Sequence, residues 1–576
     1  GQRSTMAADS IEVGEALSHF SFKKLLAFMG PGFLISIAYI DPGNIDADIA
    51  SGAHYEYQLI WVLLTATIMG LILQFFAAKL GVLTQRDLAQ HCRLSYKKPM
   101  RYSLWIMAEI SVIASDIPEV IGTAFALKLL FGIPLWLGVL ITGLDTLLFL
   151  FLQNFSIRAL EVVIGIFLFV ISACFVVEMF MVDINLKQMA MGFIPLDGFV
   201  TETDKSGYTV AAISLVGAVV MPHNLYLHSA LVQSRKVGRD KKSVREAMVY
   251  NVIECSLALG VSFLINLAII TLAASTFYGQ ELYPVPASQV TSSMEPIEPG
   301  LNNASLLLEE LLHSRYANFF FAIALLASGQ SSTITGTYAG QFVMEGFLEW
   351  KVAAWKRNLI TRSVAIVPSL AVALLAGDSG SDTMIILSQV LLSIQLPFAL
   401  IPLVKLTNSR KTMGEYKNDM KSIVTGWILA IMVIGANLVL VVFVGAEYLD
   451  WTQWWGWIGL IICVSVGVLY LIFLGYLSYL PIDSLGTSYD FERDADFCLV
   501  EEVDENEDDE EAGTTTVGEL EDDDEVTIDL DEGGVEMEEI PAGSATVTLE
   551  ETSGATTADG SPSLRAIEHV PGSGPE

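Results

Sequence analysis

Near its start the chain reads Ala38-Tyr39-Ile40-Asp41-Pro42-Gly43-Asn44, and from position 218 it reads Ala218-Val219-Val220-Met221-Pro222-His223-Asn224. Both stretches follow the pattern A-x-x-x-P-x-N inside apolar segments. Proline removes a backbone hydrogen bond from a helix and breaks or kinks it. In a bilayer the freed carbonyl groups are tolerated only where they line a cavity or bind something. Paired breaks therefore predict a binding site near the middle of the membrane, between two structural repeats.

The composition outside these stretches is that of an integral membrane protein. Of the 576 residues, 53% are hydrophobic and only 17% are charged, and the mean hydropathy is +0.53. Many windows hold about 20 nearly uncharged residues, enough to cross a hydrocarbon core of about 30 Å. They include residues 60–78, 135–152, 162–181, 423–444 and 457–476. The sequence predicts an all-α polytopic membrane protein with about twelve transmembrane helices.

Basic residues alternate between successive loops and predict the topology. They cluster in residues 86–101, 235–245, 351–357 and 405–417, and the positive-inside rule places these loops in the cytoplasm. Both termini are then cytoplasmic, and no cleavable signal peptide is expected. The sequon at Asn303 falls in the longest exoplasmic loop, where it can be glycosylated. Each half holds about five spans, an odd number, so the second repeat is inverted relative to the first.

Acidic residues are concentrated at the carboxyl end. The net charge is −34, and roughly 30 of the 65 acidic residues follow Pro481, where only Arg493 and Arg565 are basic. Such a segment cannot bury apolar surface. We therefore expect a cytoplasmic N-terminal segment at 1–21, a transmembrane domain at 22–480 and an acidic, disordered cytoplasmic tail at 481–576.

The two breaks bring cation ligands into register. Asp41 offers a carboxylate, Asn44 an amide oxygen and Met221 a thioether. The carbonyls of Ala38 and Ala218 are freed before each break. Magnesium and calcium prefer oxygen ligands alone, whereas manganese(II), iron(II), cobalt(II) and cadmium(II) can also use a thioether. The same methionine could instead fill a gap in the packing.

Two later spans also contain polar residues, whose roles spacing alone does not decide. Gln389 and Gln395 lie in the apolar tenth span, and Gln389 is the better candidate to face the cavity. Residues 329–341 are dense in glycine and hydroxyl side chains, a composition typical of close helix packing.

Three acids in the third span predict a proton pathway. Glu109, Asp116 and Glu119 are spaced i, i+7 and i+10, so they share one helical face. Carboxylates in a membrane helix are costly unless they pair or titrate. Arg362, in the ninth span, could be their counter-ion or an ordinary interfacial arginine.

Two histidines follow the second break. His223 and His228 could titrate near neutral pH and join the proton pathway. The alternative is that each is a hydrogen-bonded structural histidine.

The chain resembles the natural resistance-associated macrophage protein (Nramp) family of divalent-metal transporters, especially its plant-like members. The resemblance covers nearly all of 22–480 and rests on four motifs: Asp41-Pro42-Gly43-Asn44, Met221-Pro222-His223-Asn224, residues 329–346 and Leu396-Pro397-Phe398-Ala399. It implies a LeuT-like inverted repeat with broken first and sixth helices, which cotransports protons with manganese or iron(II) toward the cytosol.

The resemblance also assigns residues. It implies metal ligands at Asp41, Asn44 and Met221, backbone ligands at Ala38 and Ala218, and a further contribution from Gln389. It implies a proton pathway through Asp116, Glu119, His223, His228 and Arg362.

Other functions are less favoured by the sequence. A same-fold transporter of an organic solute such as an amino acid gives no reason for Met221, and an Nramp-like signalling membrane protein would need a larger tail. We expect no enzyme activity, no cofactor, no nucleic-acid binding and no obligate protein partner. The metal ion and protons would be substrates in a lipid bilayer, either the plasma membrane or a vacuolar or endosomal membrane.

Overall fold

The computed structural model describes most of the transmembrane part of the chain and four strands near the carboxyl end. The described residues are 11–12, 36, 38–143, 157–195, 205–236, 241–279, 300–301, 303–304, 315–349, 354–448, 454–482, 525–531, 534–540, 547–556 and 562–568. Asn303 is described, but most of the loop around it lies outside these ranges.

Helices make up the described part of the transmembrane region. The first eight are α1 (Pro42–Tyr55), α2 (Ile60–Thr84), α3 (Leu88–Ser95), α4 (Lys98–Phe131), α5 (Leu135–Thr142), α6 (Ile157–Met179), α7 (Leu186–Met191) and α8 (Lys205–Val219). The remaining eight are α9 (Pro222–Leu231), α10 (Lys241–Phe277), α11 (Arg315–Leu348), α12 (Ala354–Leu375), α13 (Gly377–Asn408), α14 (Arg410–Met413), α15 (Met420–Tyr448) and α16 (Trp454–Tyr479). Two 3₁₀ turns occur at Val232–Ser234 and Gly414–Tyr416.

Among the described residues, seven helical segments are long and apolar enough to cross a membrane. Three shorter apolar helices lie at Gly165–Met179, Leu359–Leu375 and Val464–Tyr479. The all-α polytopic class predicted from composition is confirmed. The short helix α1 follows the first break, and α5 begins the apolar window at residues 135–152.

Both predicted breaks fall at the prolines. Asp41 precedes α1 with ψ 167°, and Met221 precedes α9 with ψ 128°. Extended backbone at these positions is what a following proline favours, because its ring disfavours the α conformation of the preceding residue. Each proline then opens a new helix at a position where its missing N–H costs nothing.

Helix α1 is the centre of the bundle. It packs against α4, α8, α10 and α13, and twelve of its fourteen residues are buried. At Gly52 the backbones of α1 and α10 approach so closely that a side chain would run into the Ile270 carbonyl and lie 2.8 Å from Ala273 Cβ. Small residues at a helix crossing in a membrane permit this approach.

The short helix α3, which follows α2, forms a hydrogen bond with α9. Asp87 caps α3 by accepting from the Gln90 N–H at 2.8 Å, and the Leu88 N–H donates to Ser229 Oγ at 2.9 Å. Burial raises the pKa of Asp87 to about 7. The end of the second broken helix is therefore held by a hydrogen bond to the first residue of α3.

Strands are few and short. Residues Ile11–Glu12 (β1) pair in parallel with Arg235–Lys236 (β2). The chain divides into two units, Gly1–Val500 and Glu501–Glu576. In the second unit β3 (Glu525–Asp531) pairs antiparallel with β4 (Gly534–Ile540), and β5 (Val547–Thr556) with β6 (Pro562–Glu568). The predicted boundaries at 21/22 and 480/481, and disorder of the tail, remain predictions.

Replacing Gly52 with leucine should destabilise the bundle. The added side chain has no space at the α1–α10 crossing, and overpacking typically costs about 1–3 kcal/mol. Thermal unfolding of the purified protein in detergent checks this, and the midpoint should fall by several degrees. The matched control is Gly260→Leu on α10, where nothing lies within 4 Å of the new Cβ. Equal losses in the two variants would contradict the packing argument.

Candidate metal site

Three oxygen atoms converge on one amide group at the first break. The side-chain nitrogen of Asn44 donates to Asp41 Oδ1 at 2.5 Å and to the Ala218 carbonyl at 3.0 Å. The Ala38 carbonyl lies 3.5 Å from the same nitrogen. Both freed carbonyls and the carboxylate therefore point toward one positively polarised group, and this contact joins the first break to the second.

Two further side-chain oxygens at the first break have no hydrogen-bond partner among the described residues. They are Asp41 Oδ2 and Asn44 Oδ1, and both are buried. A buried oxygen without a partner is costly, because it has lost its hydration. These two atoms are free to act as ligands.

The Gln389 side chain of α13 lies next to Asp41 at the first break. A Cβ on Gly43 would run into the Gln389 amide nitrogen and would lie 3.2 Å from Asp41 Oδ2, so both side chains border one spot. Neither side-chain atom of the Gln389 amide has a hydrogen-bond partner among the described residues. The close approach also depends on Gly217 of α8, where a side chain would collide with the Gln389 carbonyl.

Met221 lies at the second break, three residues after Ala218. Its side chain is buried in a small apolar cluster with Ala114 of α4 and Leu392 of α13. Leu392 is one turn from Gln389, so the thioether lies on the same side of α13 as the amide. The Met221 backbone is extended and caps α9 without a side-chain hydrogen bond.

The residues of the candidate site are buried from solvent. Asp41, Asn44, Ala218 and Gln389 have 0% exposure, and Met221 has 2%. An ion could therefore reach these groups only after a movement of the surrounding helices.

A second cluster joins α4, α11 and α12. Arg362 Nη1 lies 3.1 Å from Glu119 Oε2 and 3.6 Å from Asp116 Oδ1. Ser332 Oγ donates to Glu119 Oε1 at 2.6 Å, and Arg362 Nη2 donates to Thr333 Oγ1 at 2.8 Å. All three charged groups are at most 5% exposed.

This cluster bears on two predictions from the sequence. Arg362 lies inside α12, buried and paired, so the interpretation as an interfacial arginine is wrong. The hydroxyl-rich run does pack closely, since a side chain on Gly336 would lie 3.3 Å from Glu119 Oε1, but Ser332 and Thr333 also bind the charged groups. Glu109 is half-buried and accepts from Trp105 Nε1 at 3.1 Å.

The two histidines have different surroundings. His223 is buried at the start of α9, and its Nδ1 has no partner among the described residues. His228 Nδ1 lies 2.8 Å from Gln74 Oε1, and its Nε2 lies 3.6 Å from Cys255 Sγ. Gln74 in turn donates to the Tyr39 hydroxyl at 3.1 Å. His228 thus connects to the first break through a chain of neutral polar groups.

Sequence reasoning missed two acids on α1. Asp46 Oδ1 accepts from the Leu301 N–H at 3.1 Å, and both oxygens of Asp48 are buried without a partner among the described residues. Their signal was present, because a carboxylate in a membrane helix is functional by default, and both follow the first break by less than two turns. Gln74, deep in the apolar α2, is a further polar residue that sequence reasoning passed over.

The helical bundle with two proline breaks defines the class: a polytopic membrane protein of the transporter type, with a buried ligand site between the breaks. Residues 32–443 match the model of the natural resistance-associated macrophage protein-like family. The chain belongs to this Nramp family, whose members are transporters and not enzymes.

Metal transporters of plants are similar to this chain over about three quarters of its length. The metal transporter Nramp6 of Arabidopsis thaliana is 48% identical over 418 residues, which are 73% of this chain and 77% of that protein. Nramp3 of Oryza sativa subsp. japonica, also a metal transporter, is 47% identical over 435 residues, covering 75% and 77%. The plant-like character expected from the sequence is confirmed.

Solved structures agree with the fold. A manganese transporter mutant from Eremococcus coleocola has a TM-score of 0.70 at 32% identity, over 82% of this chain and 97% of that one. Mhp1, a nucleobase-cation-symport-1 family transporter in a closed conformation, has a TM-score of 0.50 at 15% identity, covering 81% and 96%. The second likeness concerns the fold alone and supports the LeuT-like inverted repeat.

Arg362→Met should destabilise the protein strongly. The change leaves Asp116 and Glu119 buried beside each other without their cation, and breaking a buried ion pair typically costs about 3–5 kcal/mol. Thermal unfolding in detergent measures this loss. Lys356→Met, at an exposed position of the same helix, is the control and should leave the midpoint nearly unchanged. An Arg362→Met protein as stable as the control would contradict a structural contribution of the pair.

Proposed function

We propose that the chain carries divalent transition-metal ions, chiefly manganese(II) or iron(II) and also cadmium(II) or cobalt(II), toward the cytosol together with protons. The observation that carries this proposal is the convergence of three oxygen atoms on the Asn44 amide nitrogen. Oxygens that converge on a polarised N–H group can converge equally on a cation. The identity of the plant relatives as metal transporters supports the same conclusion.

The ligand set fits a divalent ion. Rotating the Asn44 amide by half a turn exchanges its nitrogen for Oδ1 and adds a fourth oxygen to those of Asp41, Ala38 and Ala218. Asp41 Oδ2 and the Gln389 side chain lie at the same spot and have no competing partner among the described residues. One carboxylate among neutral oxygens binds a divalent ion without holding it too tightly for release.

Selectivity comes from Met221 in this proposal. Its thioether is the soft ligand of the set, and only manganese, iron and later transition metals gain from it. Magnesium and calcium would have to lose water ligands for a sulfur that they do not favour. The methionine acts as a filter against the more abundant hard cations.

Proton coupling uses the second cluster. Asp116 and Glu119 share one arginine, so the three groups have an excess of negative charge when both acids are ionised. A proton on either acid relieves this excess. Helix α4 carries both acids and also Ala114, which lies in one apolar cluster with Met221, so a change at the acids can be transmitted to the metal site.

Transport requires alternating access to the closed site. The Leu301 N–H bonds Asp46 on one side of the break, and the Ser229–Leu88 contact fastens α9 toward the opposite end. Opening one set of contacts at a time would expose the ligands to one side only. The positive-inside rule assigns the second set to the cytoplasmic side.

Met221→Ala should weaken discrimination against hard cations. Manganese(II) flux into proteoliposomes under an inward proton gradient is measured with excess magnesium present. Wild type should transport manganese in spite of magnesium. In the variant the concentration of magnesium that halves manganese flux should fall about ten-fold, the change expected when roughly 1.4 kcal/mol of ligand preference is lost.

The control for this experiment is Met69→Ala, which removes an equally buried methionine from α2. Discrimination unchanged by Met221→Ala would remove the thioether from the site but keep the transporter. Wild type without any saturable metal flux would overturn the proposal.

Glu119→Gln should uncouple metal flux from protons. The amide has nearly the same shape but cannot carry a proton, so manganese flux should lose most of its stimulation by an inward proton gradient. Manganese binding, measured by calorimetry at constant pH, should change far less. Glu178→Gln, at an equally buried acid on α6, is the control. Full proton stimulation in Glu119→Gln would exclude this acid from the pathway.

A further inference from the structure

A cleft lies on the outer surface of the bundle between α2, α10 and α15. Its two parts have volumes of about 690 Å³ and 380 Å³ and share Phe75 and Val252 as walls. The smaller part is lined by Ile72 and Cys255, and the larger part by Glu415 and Tyr416 of the 3₁₀ turn. Each part is within the size range of sites that hold a small molecule.

The rim and the interior of the cleft differ in polarity. Arg245 and Lys421 line the rim, each within the first few residues of a membrane-spanning helix. Glu415 also lines the rim, so the side chains that line the cleft sum to a formal charge of +1. Asp419, which accepts from the Ser422 N–H and hydroxyl, does not line the cleft itself. The walls further in are apolar. A ligand that fits has a negatively charged head at the membrane surface and a hydrocarbon chain directed into the bilayer.

We propose that this cleft binds one anionic phospholipid of the leaflet that contains Arg245 and Lys421. The charges at the rim select the head group, since basic side chains beside membrane helices favour anionic lipids. Apolar walls between helices then hold one acyl chain in a groove, where it contacts protein on more than one side. A zwitterionic lipid would lack the net charge that the rim favours.

The cleft reaches the neighbourhood of the candidate metal site. Cys255 lines its wall, and the Cys255 thiol lies 3.6 Å from His228 Nε2. His228 connects through Gln74 to Tyr39, two residues before Asp41. An acyl chain in the cleft therefore restricts α10 beside this chain of contacts. We therefore expect anionic lipid to change the rate of metal transport, an expectation that rests on the proposed function.

The first test measures lipid binding without transport. Full-length protein in detergent is mixed with equal amounts of phosphatidylglycerol and phosphatidylcholine, and bound lipid is counted by native mass spectrometry. Wild type should retain one phosphatidylglycerol in preference to phosphatidylcholine. Arg245→Gln with Lys421→Gln should lower this preference roughly ten-fold or more, because each basic group contributes separately.

Matched controls separate the cleft from general surface charge. Lys97→Gln with Lys98→Gln removes the same two charges from exposed positions outside the cleft and should leave the preference unchanged. Val252→Trp fills the cleft and should abolish retention of the lipid, whereas Val442→Trp, at a lipid-facing position 67% exposed, should not. Equal effects of a cleft variant and its control would overturn the proposal.

Glu415→Gln decides the class of lipid. Removing the carboxylate that lines the cleft should strengthen phosphatidylglycerol retention if the ligand is anionic. Weaker lipid retention, without any increase in bound anionic lipid, would mean that the carboxylate binds an amine head group. This result would overturn the assignment. Transport is measured afterwards in vesicles with and without phosphatidylglycerol. A lipid that binds but leaves metal flux unchanged refutes the transport consequence, whereas absence of flux in both vesicles refutes the proposed function alone.

Discussion

The structure depends on how two interrupted helices satisfy their backbone carbonyls inside a membrane. Proline at positions 42 and 222 prevents the normal helical bonds, and the bilayer offers no water in their place. The Asn44 amide group fills this role for the carbonyls of Ala38 and Ala218 together. One side chain thereby joins both breaks, and the polar groups that make a broken helix tolerable are the same groups that can bind a cation.

Helix α4 connects this centre to the charged cluster. Its Gly122 lets Pro42 of α1 approach, since a Cβ there would collide with the proline ring. Ala114 of the same helix lies in one apolar cluster with Met221, and Asp116 and Glu119 pair with Arg362 of α12. The helix therefore contacts the first break, the second break and the ion pairs within a few turns. A small rotation of α4 would move all three.

The sequence predicted the membrane class and the paired breaks, because proline and hydropathy act locally. It gave the pairing of Arg362 with the acids as one of two alternatives. It could not place Ser332 and Thr333 on the charged cluster, since that contact depends on the crossing of α11 with α4. Spacing also could not show that His228 contacts Gln74 and not the acids of α4. Contacts between helices distant in sequence depend on close packing at residues such as Gly43 and Gly217, whose importance appears only in the folded protein.

Charge balance gives a physical reason for coupling under the proposed function. Five carboxyl groups are buried at α1 and α4, and Arg362 pairs with two of them. They are Asp41, Asp46, Asp48, Asp116 and Glu119. Uncompensated charge in a medium of low dielectric constant is costly. A divalent ion at Asp41 offsets the excess, and protons on the acids offset it equally. Because either cation relieves the same electrostatic cost, the occupancy of one site alters the affinity of the other without any direct contact between metal and proton.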